Sequence, residues 1–250
     1  MKKNVFAFRQ FFKERQQGQG FPLYIKICLK CTYRTVHHSN RINGIAGNVN
    51  YIMNYLAHAY LSFKDPDILT GNMISDYVKG RKKFDYTERV QKGIMLHRMI
   101  DEFTDNHPVS REIQKIFKPA YGLYSGPIVD VIMDYFVARD KALYLPSNLM
   151  EFSQEVFTML ENYTGIFPEK FARMFPYMKT QNWLYHYQFH EGIRNSLGGL
   201  ARRAKYINET DTAYQLFIAH LDDIQPGYNE FCPELNAFSY QAFNSGDKEI

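Results

Sequence analysis

The stretch Gly126-Pro-Ile-Val-Asp-Val-Ile-Met-Asp-Tyr-Phe-Val137 decides the fold of this chain. Gly126-Pro127 opens a predicted helix that we expect to run to about Leu145, because proline is favoured in the first turn of a helix. Apolar side chains cover nearly the whole circumference of this helix. A helix that is apolar all round is a buried helix, so the stretch predicts one at the centre of a helical core.

The sequence around this helix is also helical almost throughout, from Met53 onward. Apolar spacing near 3.6 residues predicts helical segments over 54–63, 65–79, 85–105, 148–163, 168–179, 182–206 (with a break) and 211–224. His107-Pro108 ends one of these helices and starts the next. Strand signals are scarce and the body has no Asn-Gly hairpin. We therefore predict one all-α domain of 7–9 helices over 53–240, followed by a tail at 241–250.

Composition narrows the class of protein. The chain has 250 residues, of which 45% are hydrophobic and 22% charged, and this balance excludes a disordered or collagen-like chain. No uninterrupted apolar run reaches the length of a membrane span, so we expect none. Three cysteines are too few for a disulfide scaffold and favour a reducing compartment, which indicates a cytoplasmic protein.

The net charge of +4 describes neither part of the chain. Residues 1–52 hold nine basic residues and one acidic residue, a net +8, whereas 53–250 hold the other 21 basic and 25 acidic residues, a net −4. Cys28 and Cys31 form a CxxC, but His37 and His38 follow too soon for zinc-finger spacing, so an incidental pair is favoured over a metal site. We expect residues 1–52 to be a poorly ordered extension or to lie upstream of a true start at Met53.

Histidine and aspartate recur along one edge of the predicted helix 85–105. His97 and Asp101 are four residues apart, as are Asp101 and Asp105, so these side chains share one face. Nitrogen and oxygen ligands that converge from a rigid element suit a divalent cation. The alternative is a solvated His–Asp pair worth a few tenths of a kcal/mol, and spacing alone favours it.

Two further carboxylates interrupt the buried helix itself. Asp130 and Asp134 are four residues apart, and a buried carboxylate costs several kcal/mol unless it is paired or binds a metal. Either they pair with an arginine, for which the candidates are Arg98, Arg111 and Arg139, or they point into a functional site. Both interpretations stay open on the residues alone.

Asp76 and His58 also sit in apolar surroundings. Asn72 precedes Asp76 by four residues and shares its face, while His58 lies in the apolar segment 54–63. A single histidine on an apolar helix is more often a hydrogen-bonded core residue than a ligand, so His58 alone favours the core interpretation.

Basic residues cluster at Lys79-Gly-Arg-Lys-Lys83 and at Arg202-Arg203-Ala-Lys205. Each cluster is either a solvated helix end or a surface that grips phosphate or an acidic protein. The sequence has no Walker loop, no GxGxxG, no GxSxG and no Cys-His nucleophile pattern.

Several ordered blocks resemble the acyl carrier protein phosphodiesterase family over about 53–240. They are Met53-Asn-Tyr-Leu-Ala-His58, Gly71-Asn72 with Asp76-Tyr-Val-Lys-Gly80, Gly93-Ile-Met-Leu-His-Arg-Met-Ile-Asp101, Thr104-Asp-Asn-His-Pro108, Asp130-Val-Ile-Met-Asp134, and Trp183-Leu-Tyr185 with Leu197-Gly-Gly-Leu-Ala-Arg-Arg203. The chain departs from the family in its first 52 residues. It also lacks a contiguous His-Asp dipeptide, since Arg98 follows His97.

The resemblance implies an HD-like, all-α, metal-dependent phosphohydrolase. It implies hydrolysis of the phosphodiester between 4′-phosphopantetheine and a serine of holo-acyl carrier protein, with Mn²⁺ or a similar ion. The absence of thiolates near these blocks suits Mn²⁺ or Mg²⁺ better than structural zinc. We expect the carrier protein as partner, and neither a nucleic acid nor a membrane.

The resulting site hypothesis gives each residue a role. Asp76, His97, Asp101 and Asp134 would hold the cation, with His58 as a further ligand or proton donor. Arg98 would stabilise the phosphate, and Asp105 and Asp130 would support the ligands or act as base. The acidic carrier would dock on Lys79, Arg81, Lys82, Lys83, Arg202 and Arg203. The alternatives are a phosphohydrolase acting on a small nucleotide and a non-catalytic helical module that binds carrier protein.

Overall fold

A computed structural model describes residues 55–145 and 147–245. Every regular element in these ranges is a helix, and this confirms the all-α prediction. None of the helices in these ranges is both long and apolar enough to cross a membrane. The predicted extension 1–52, with Cys28 and Cys31, lies outside the described residues.

Eleven α-helices make up the described part of the chain. In order they are α1 Tyr55–Tyr60, α2 Pro66–Ile74, α3 Glu88–Asn106, α4 Pro108–Tyr121, α5 Ser125–Arg139, α6 Leu149–Glu161, α7 Glu169–Thr180, α8 Trp183–His186, α9 His190–Arg203, α10 Asp211–Ala219 and α11 Leu221–Ser245. Short 3-10 helices link some of them, at Ser75–Tyr77, Gly80–Asp85, Gly122–Tyr124, Lys141–Tyr144 and Thr164–Ile166.

Local signals place several helix ends correctly. The Asp65 side chain accepts a hydrogen bond from the Ile68 amide at 2.9 Å and starts α2. His107 ends α3 and begins α4 as predicted. The helix predicted over 65–79 already ends at Ile74, because the chain tightens into a 3-10 turn and then extends at Val78.

The described residues hold more helices than the predicted 7–9. The segment 182–206 is divided into α8 and α9 as predicted, but the segment from 211 onward holds two helices, α10 and α11, where one was predicted. Helix α11 was not predicted beyond 224, since Pro226 and Pro233 lie inside it and read as helix breakers. It continues to Ser245, into the predicted tail 241–250.

Helix α5 is the buried centre of the body. Most of its side chains are buried, among them Ile128, Val131 and Ile132, and it packs against α1, α4 and α9. The prediction of a helix buried on all sides is therefore confirmed.

Helices α2 and α3 approach each other closely at two glycines. A Cβ on Gly93 would lie 2.3 Å from the Ile68 carbonyl oxygen, and one on Gly71 would lie 2.1 Å from the Val90 carbonyl oxygen. Only glycine permits this backbone contact. The contact sets Asn72 on α2 beside His97 on α3.

Candidate metal centre

Two histidines and an aspartate from α1 and α3 form a compact group of ligand atoms. One atom each from His58, His97 and Asp101 lies within 4.8 Å of the other two. The two Asp101 oxygens lie 3.2 Å from His58 Nε2 and 3.2 Å from His97 Nε2. It is the one candidate metal group found in the described residues. The predicted His97–Asp101 pair is thus part of this candidate group, together with His58 from a separate helix.

The polar atoms of this group are buried and unsatisfied. The rings of His58 and His97 stack with centroids 4.0 Å apart. His58 Nδ1, His58 Nε2, His97 Nε2 and Asp76 Oδ2 are buried without a hydrogen bond. Such atoms are costly to leave unpaired, and a coordinated cation would satisfy nitrogen and carboxylate donors together. The donor set therefore fits a divalent metal ion.

Asn72 fixes the orientation of His97. Its side-chain nitrogen donates to the His58 carbonyl and to Ser62 Oγ, both at 3.1 Å. Its oxygen is therefore the atom that accepts from His97 Nδ1, at 3.1 Å. This hydrogen bond leaves the Nε2 lone pair of His97 facing Asp101 and Asp76, as a metal ligand requires. Sequence spacing showed that Asn72 shares a face with Asp76 but not that it holds His97.

The charges of the group are tightly linked. Burial lowers the pKa of His97, but Asp101 and Asp76 outweigh burial and raise that pKa to about 10. Burial and the neighbouring His97 lower the pKa of His58. Burial raises the pKa of Asp101, but the two histidines outweigh it and hold the pKa below its usual range. Without a cation, the group therefore keeps one imidazole charged and the other neutral.

Asp76 joins the group from the 3-10 turn after α2. Its Oδ1 lies 3.4 Å from His97 Nε2, and its side chain is 12% exposed. Asp101 is more open, with 36% of its side chain exposed. Solvent therefore reaches the group from the side of the Asp76 and Asp101 carboxylates.

Asp134 is not part of this group, contrary to the ligand role predicted for it. Its two oxygens accept hydrogen bonds from the Ala57 amide at 2.9 Å and the Leu56 amide at 3.1 Å. Burial raises its pKa to about 8, although these amides oppose the rise. The carboxylate thus serves the free amides at the start of α1, the helix that carries His58.

Asp130 and Asp105 lie in the electrostatic field of the group. Burial raises the pKa of Asp130 well above its usual range, and the nearby Asp101 and Asp105 raise it further. Burial and Asp101 also raise the pKa of Asp105. Asp130 therefore has carboxylates among its neighbouring charges, and its role as a site residue stays a prediction.

The arginines considered as salt-bridge partners for Asp130 and Asp134 make other contacts. Arg98 Nη2 donates to the Val78 carbonyl at 2.9 Å. Arg111 donates to Asn106 Oδ1 at 2.9 Å, and the Arg139 guanidinium lies over the Tyr135 ring. Arg98 is therefore hydrogen-bonded to the backbone at Val78. The predicted phosphate role did not include this contact.

A basic cleft of about 620 Å³ begins at Asp76. Four cations line it, namely Lys79, Lys82, Lys170 and Arg203, together with the three acids Asp76, Asp85 and Glu169, so cations exceed acids by one. The two basic clusters of the sequence thus meet at one cleft. Lys170 on α7 was not predicted, because no nearby residue in the sequence marks it as part of a cluster.

The remaining predicted docking residues lie elsewhere. Arg81 is exposed and Lys83 half-buried on the 3-10 turn Gly80–Asp85, and Lys83 Nζ contacts Met95 Sδ at 3.4 Å. Arg202 lines a second cavity with Arg203.

Comparison with known proteins gives the chain a clear set of relatives. The model of the acyl carrier protein phosphodiesterase family matches residues 53–235. A protein of Photorhabdus laumondii with that name is 29% identical over 182 residues, 72% of this chain and 92% of the relative. Others from Salmonella paratyphi A and Escherichia coli O139:H28 are 29% and 30% identical, each covering 74% of this chain and 96% of the relative. No solved structure matches the chain.

Proposed function

Since the chain belongs to the acyl carrier protein phosphodiesterase family, we propose that it hydrolyses the phosphodiester of holo-acyl carrier protein. The bond joins 4′-phosphopantetheine to a serine, and its hydrolysis gives apo-carrier protein and 4′-phosphopantetheine. The single observation that carries the proposal is the convergence of the His58, His97, Asp101 and Asp76 side chains, with buried atoms of His58, His97 and Asp76 that lack a hydrogen bond.

These four residues are the proposed ligands of a divalent cation. They combine two imidazoles with two carboxylates and contain no thiolate, which suits Mn²⁺ better than structural zinc. When bound, the cation supplies Lewis-acid charge for phosphoryl oxygens and lowers the pKa of water. Of the two roles predicted for His58, further ligand or proton donor, the proposal takes the ligand, because burial lowers its pKa and its Nε2 faces Asp101.

Asp130 is the proposed proton donor to the leaving serine oxygen. Burial and the surrounding carboxylates favour its protonated form, which can donate a proton, whereas its predicted role was to support the ligands or act as base. General acid catalysis of this kind contributes about 10²–10⁴-fold to a rate. The charge of Asp105 raises the pKa of Asp130 and so favours the protonated form of Asp130.

The cations of the cleft are the proposed contacts for phosphate and carrier. Lys79, Lys82 and Arg203 line the space next to Asp76, where a phosphoryl group bound at the ligands would extend. Arg98 donates a hydrogen bond to the carbonyl of Val78, which also lines the cleft, and so helps to position this part of the lining. Carrier proteins are acidic, and a basic surface speeds their encounter and sets their orientation.

The variant Asp101→Ala tests the ligand assignment. It removes the oxygens that face both histidines, so we expect loss of Mn²⁺ binding by calorimetry and loss of phosphopantetheine release by mass spectrometry of the carrier. Asp222→Ala, an exposed acid of α11, is the matched control. Release by Asp101→Ala at the wild-type rate would overturn the assignment.

The same assay separates the alternative functions. A phosphohydrolase for small nucleotides would turn over free nucleotides without a carrier. A non-catalytic module would bind holo-carrier protein without metal and release nothing.

A further inference from the structure

A second cavity of about 840 Å³ lies along α8 and α9 and has no part in the proposed chemistry so far. Its lining includes Trp183, Tyr187, Asn195, Ser196, Gly199 and Arg203. A volume of this size falls within the usual range for small-molecule sites, about 300–1,000 Å³. The cavity is therefore large enough for a ligand of its own.

This cavity adjoins the basic cleft at two points. Arg203 lines both spaces. Tyr55 lines the cavity, and its hydroxyl lies 3.0 Å from that of Tyr77, which lines the cleft beside Asp76. The two spaces therefore adjoin at Arg203 and at the contact of Tyr55 with Tyr77.

The lining matches one kind of ligand. The guanidinium groups of Arg202 and Arg203 outnumber the one carboxylate of the lining, Glu191, and favour an anionic group. The faces of Trp183 and Tyr187 favour apolar carbon. Asn195 adds an amide that can both donate and accept hydrogen bonds. Such a lining fits a flexible chain that has a phosphate at one end and amides along its length.

We propose that this cavity binds the pantetheine arm of the substrate, with the phosphate at the Arg203 end. The inference rests on the proposed function, because the arm is the non-protein side of the phosphodiester. The protein side then meets the basic cleft, so the two halves of the substrate lie on opposite sides of Arg203.

Two adjacent glycines of α9 provide a matched test. A Cβ at Gly199 would meet only the ends of the Arg202 and Arg203 side chains, both at 3.6 Å. A Cβ therefore fits at Gly199, and the longer side chain of Gly199→Leu would take up space at the lining of the cavity. At Gly198 a Cβ would meet only Arg202 Nη1 at 3.6 Å, and Gly198 does not line the cavity. Gly198→Leu is the control with the same change of side chain.

Trp183 reports directly on the cavity, because it is the one tryptophan of the 250-residue chain. We expect titration with free 4′-phosphopantetheine to change Trp183 emission in a saturable way in the wild type and in Gly198→Leu. In Gly199→Leu we expect binding to be weaker by about tenfold or more, the effect of losing about 1.4 kcal/mol. Asn195→Phe, from an exposed position on the same helix, repeats the test if Gly199→Leu does not fold.

The KM for holo-carrier protein gives the second measurement. Gly199→Leu should raise it by about the same factor, and Gly198→Leu should not. If Trp183 emission ignores 4′-phosphopantetheine, or if the two glycine variants behave alike, the cavity does not bind the arm. Phosphopantetheine release by the wild type is measured separately. The proposed function can therefore stand when the cavity assignment fails. The emission titration still tests binding in the cavity when the proposed function fails.

Discussion

Asn72 controls the chemistry of His97 although it is not one of the proposed ligands. Its oxygen accepts the Nδ1 proton, and its nitrogen is anchored to the His58 carbonyl and to Ser62. One side chain therefore ties together the helices that supply both histidines. Partners of this kind set the ring orientation and the basicity of a ligand.

We expect Asn72→Ala to weaken Mn²⁺ binding by about 10–100-fold, the usual effect of removing such a partner. Calorimetry measures the affinity directly. Asn236→Ala, which removes a hydrogen bond to the Tyr60 hydroxyl, is the control and should bind Mn²⁺ like the wild type. Equal affinities in the two variants would show that Asn72 does not orient the ligand.

The proton on His97 makes metal binding depend on pH. Since Asp101 and Asp76 raise the pKa of His97 to about 10, the metal-free protein holds a proton that the cation must displace. Protonated His97 stabilises the metal-free fold fully below its unfolded pKa near 6.5. That contribution disappears as the pH rises through about 10.

The expected affinity for Mn²⁺ therefore rises with pH, by about tenfold per unit near neutrality, with release of one proton. Calorimetry in two buffers of different ionisation enthalpy measures both quantities. An affinity that does not change between pH 6 and pH 8 would mean that His97 is already neutral or is not a ligand.

At the scale of helices, the features predicted correctly from the sequence are those that depend on residues close together in the chain. The burial of α5, the cap at Asp65 and the junction at His107 follow from local spacing and side-chain chemistry. The role of Asp134 could not be predicted, because it depends on where α1 begins against α5. A buried carboxylate can bind a metal ion or accept hydrogen bonds from backbone amides. Only tertiary packing decides which of the two it does.

The close contact of α2 and α3 predicts a large effect of a small change. In Gly93→Ala the added methyl group on α3 must push away the Ile68 carbonyl and with it α2, so we expect a loss of about 1–3 kcal/mol in the free energy of unfolding. Mn²⁺ binding should weaken as well, because α3 carries His97 and Asp101. Urea denaturation measures the first effect.

Gly198→Ala is the control, since a Cβ there meets only the end of the Arg202 side chain. It should leave the protein as stable as the wild type or more so, because alanine favours a helix over glycine. A Gly93→Ala protein of wild-type stability would show that the α2–α3 contact is looser than described.

At the scale of the whole molecule, the basic cleft is assembled from distant parts of the sequence. The sequence predicted Lys79, Lys82 and Arg203 as surface cations, but in two separate clusters. Their meeting depends on how α9 packs back against the body, and this packing also brings in Lys170 from α7. No local pattern carries that information, so the residues were predictable and the cleft was not.

Charge reversal in this cleft tests carrier docking. We expect Lys82→Glu to raise KM for holo-carrier protein by about fivefold or more at low ionic strength, and to reduce the dependence of KM on salt. Lys141→Glu makes the same charge change outside the cleft. Steady-state kinetics at two salt concentrations compare them, and identical behaviour of the two variants would assign docking to another surface.

The proposed function assigns hydrolysis of the phosphodiester in holo-carrier protein to the His58–His97–Asp101–Asp76 group. Its decisive test is mass spectrometry of holo-carrier incubated with the wild-type protein, with Mn²⁺, with a chelator, and with Mn²⁺ restored. We expect conversion to apo-carrier and free 4′-phosphopantetheine with Mn²⁺, none with the chelator, and recovery when the ion returns. A carrier that keeps its phosphopantetheine with Mn²⁺ present, or loses it equally fast with the chelator, would rule this assignment out.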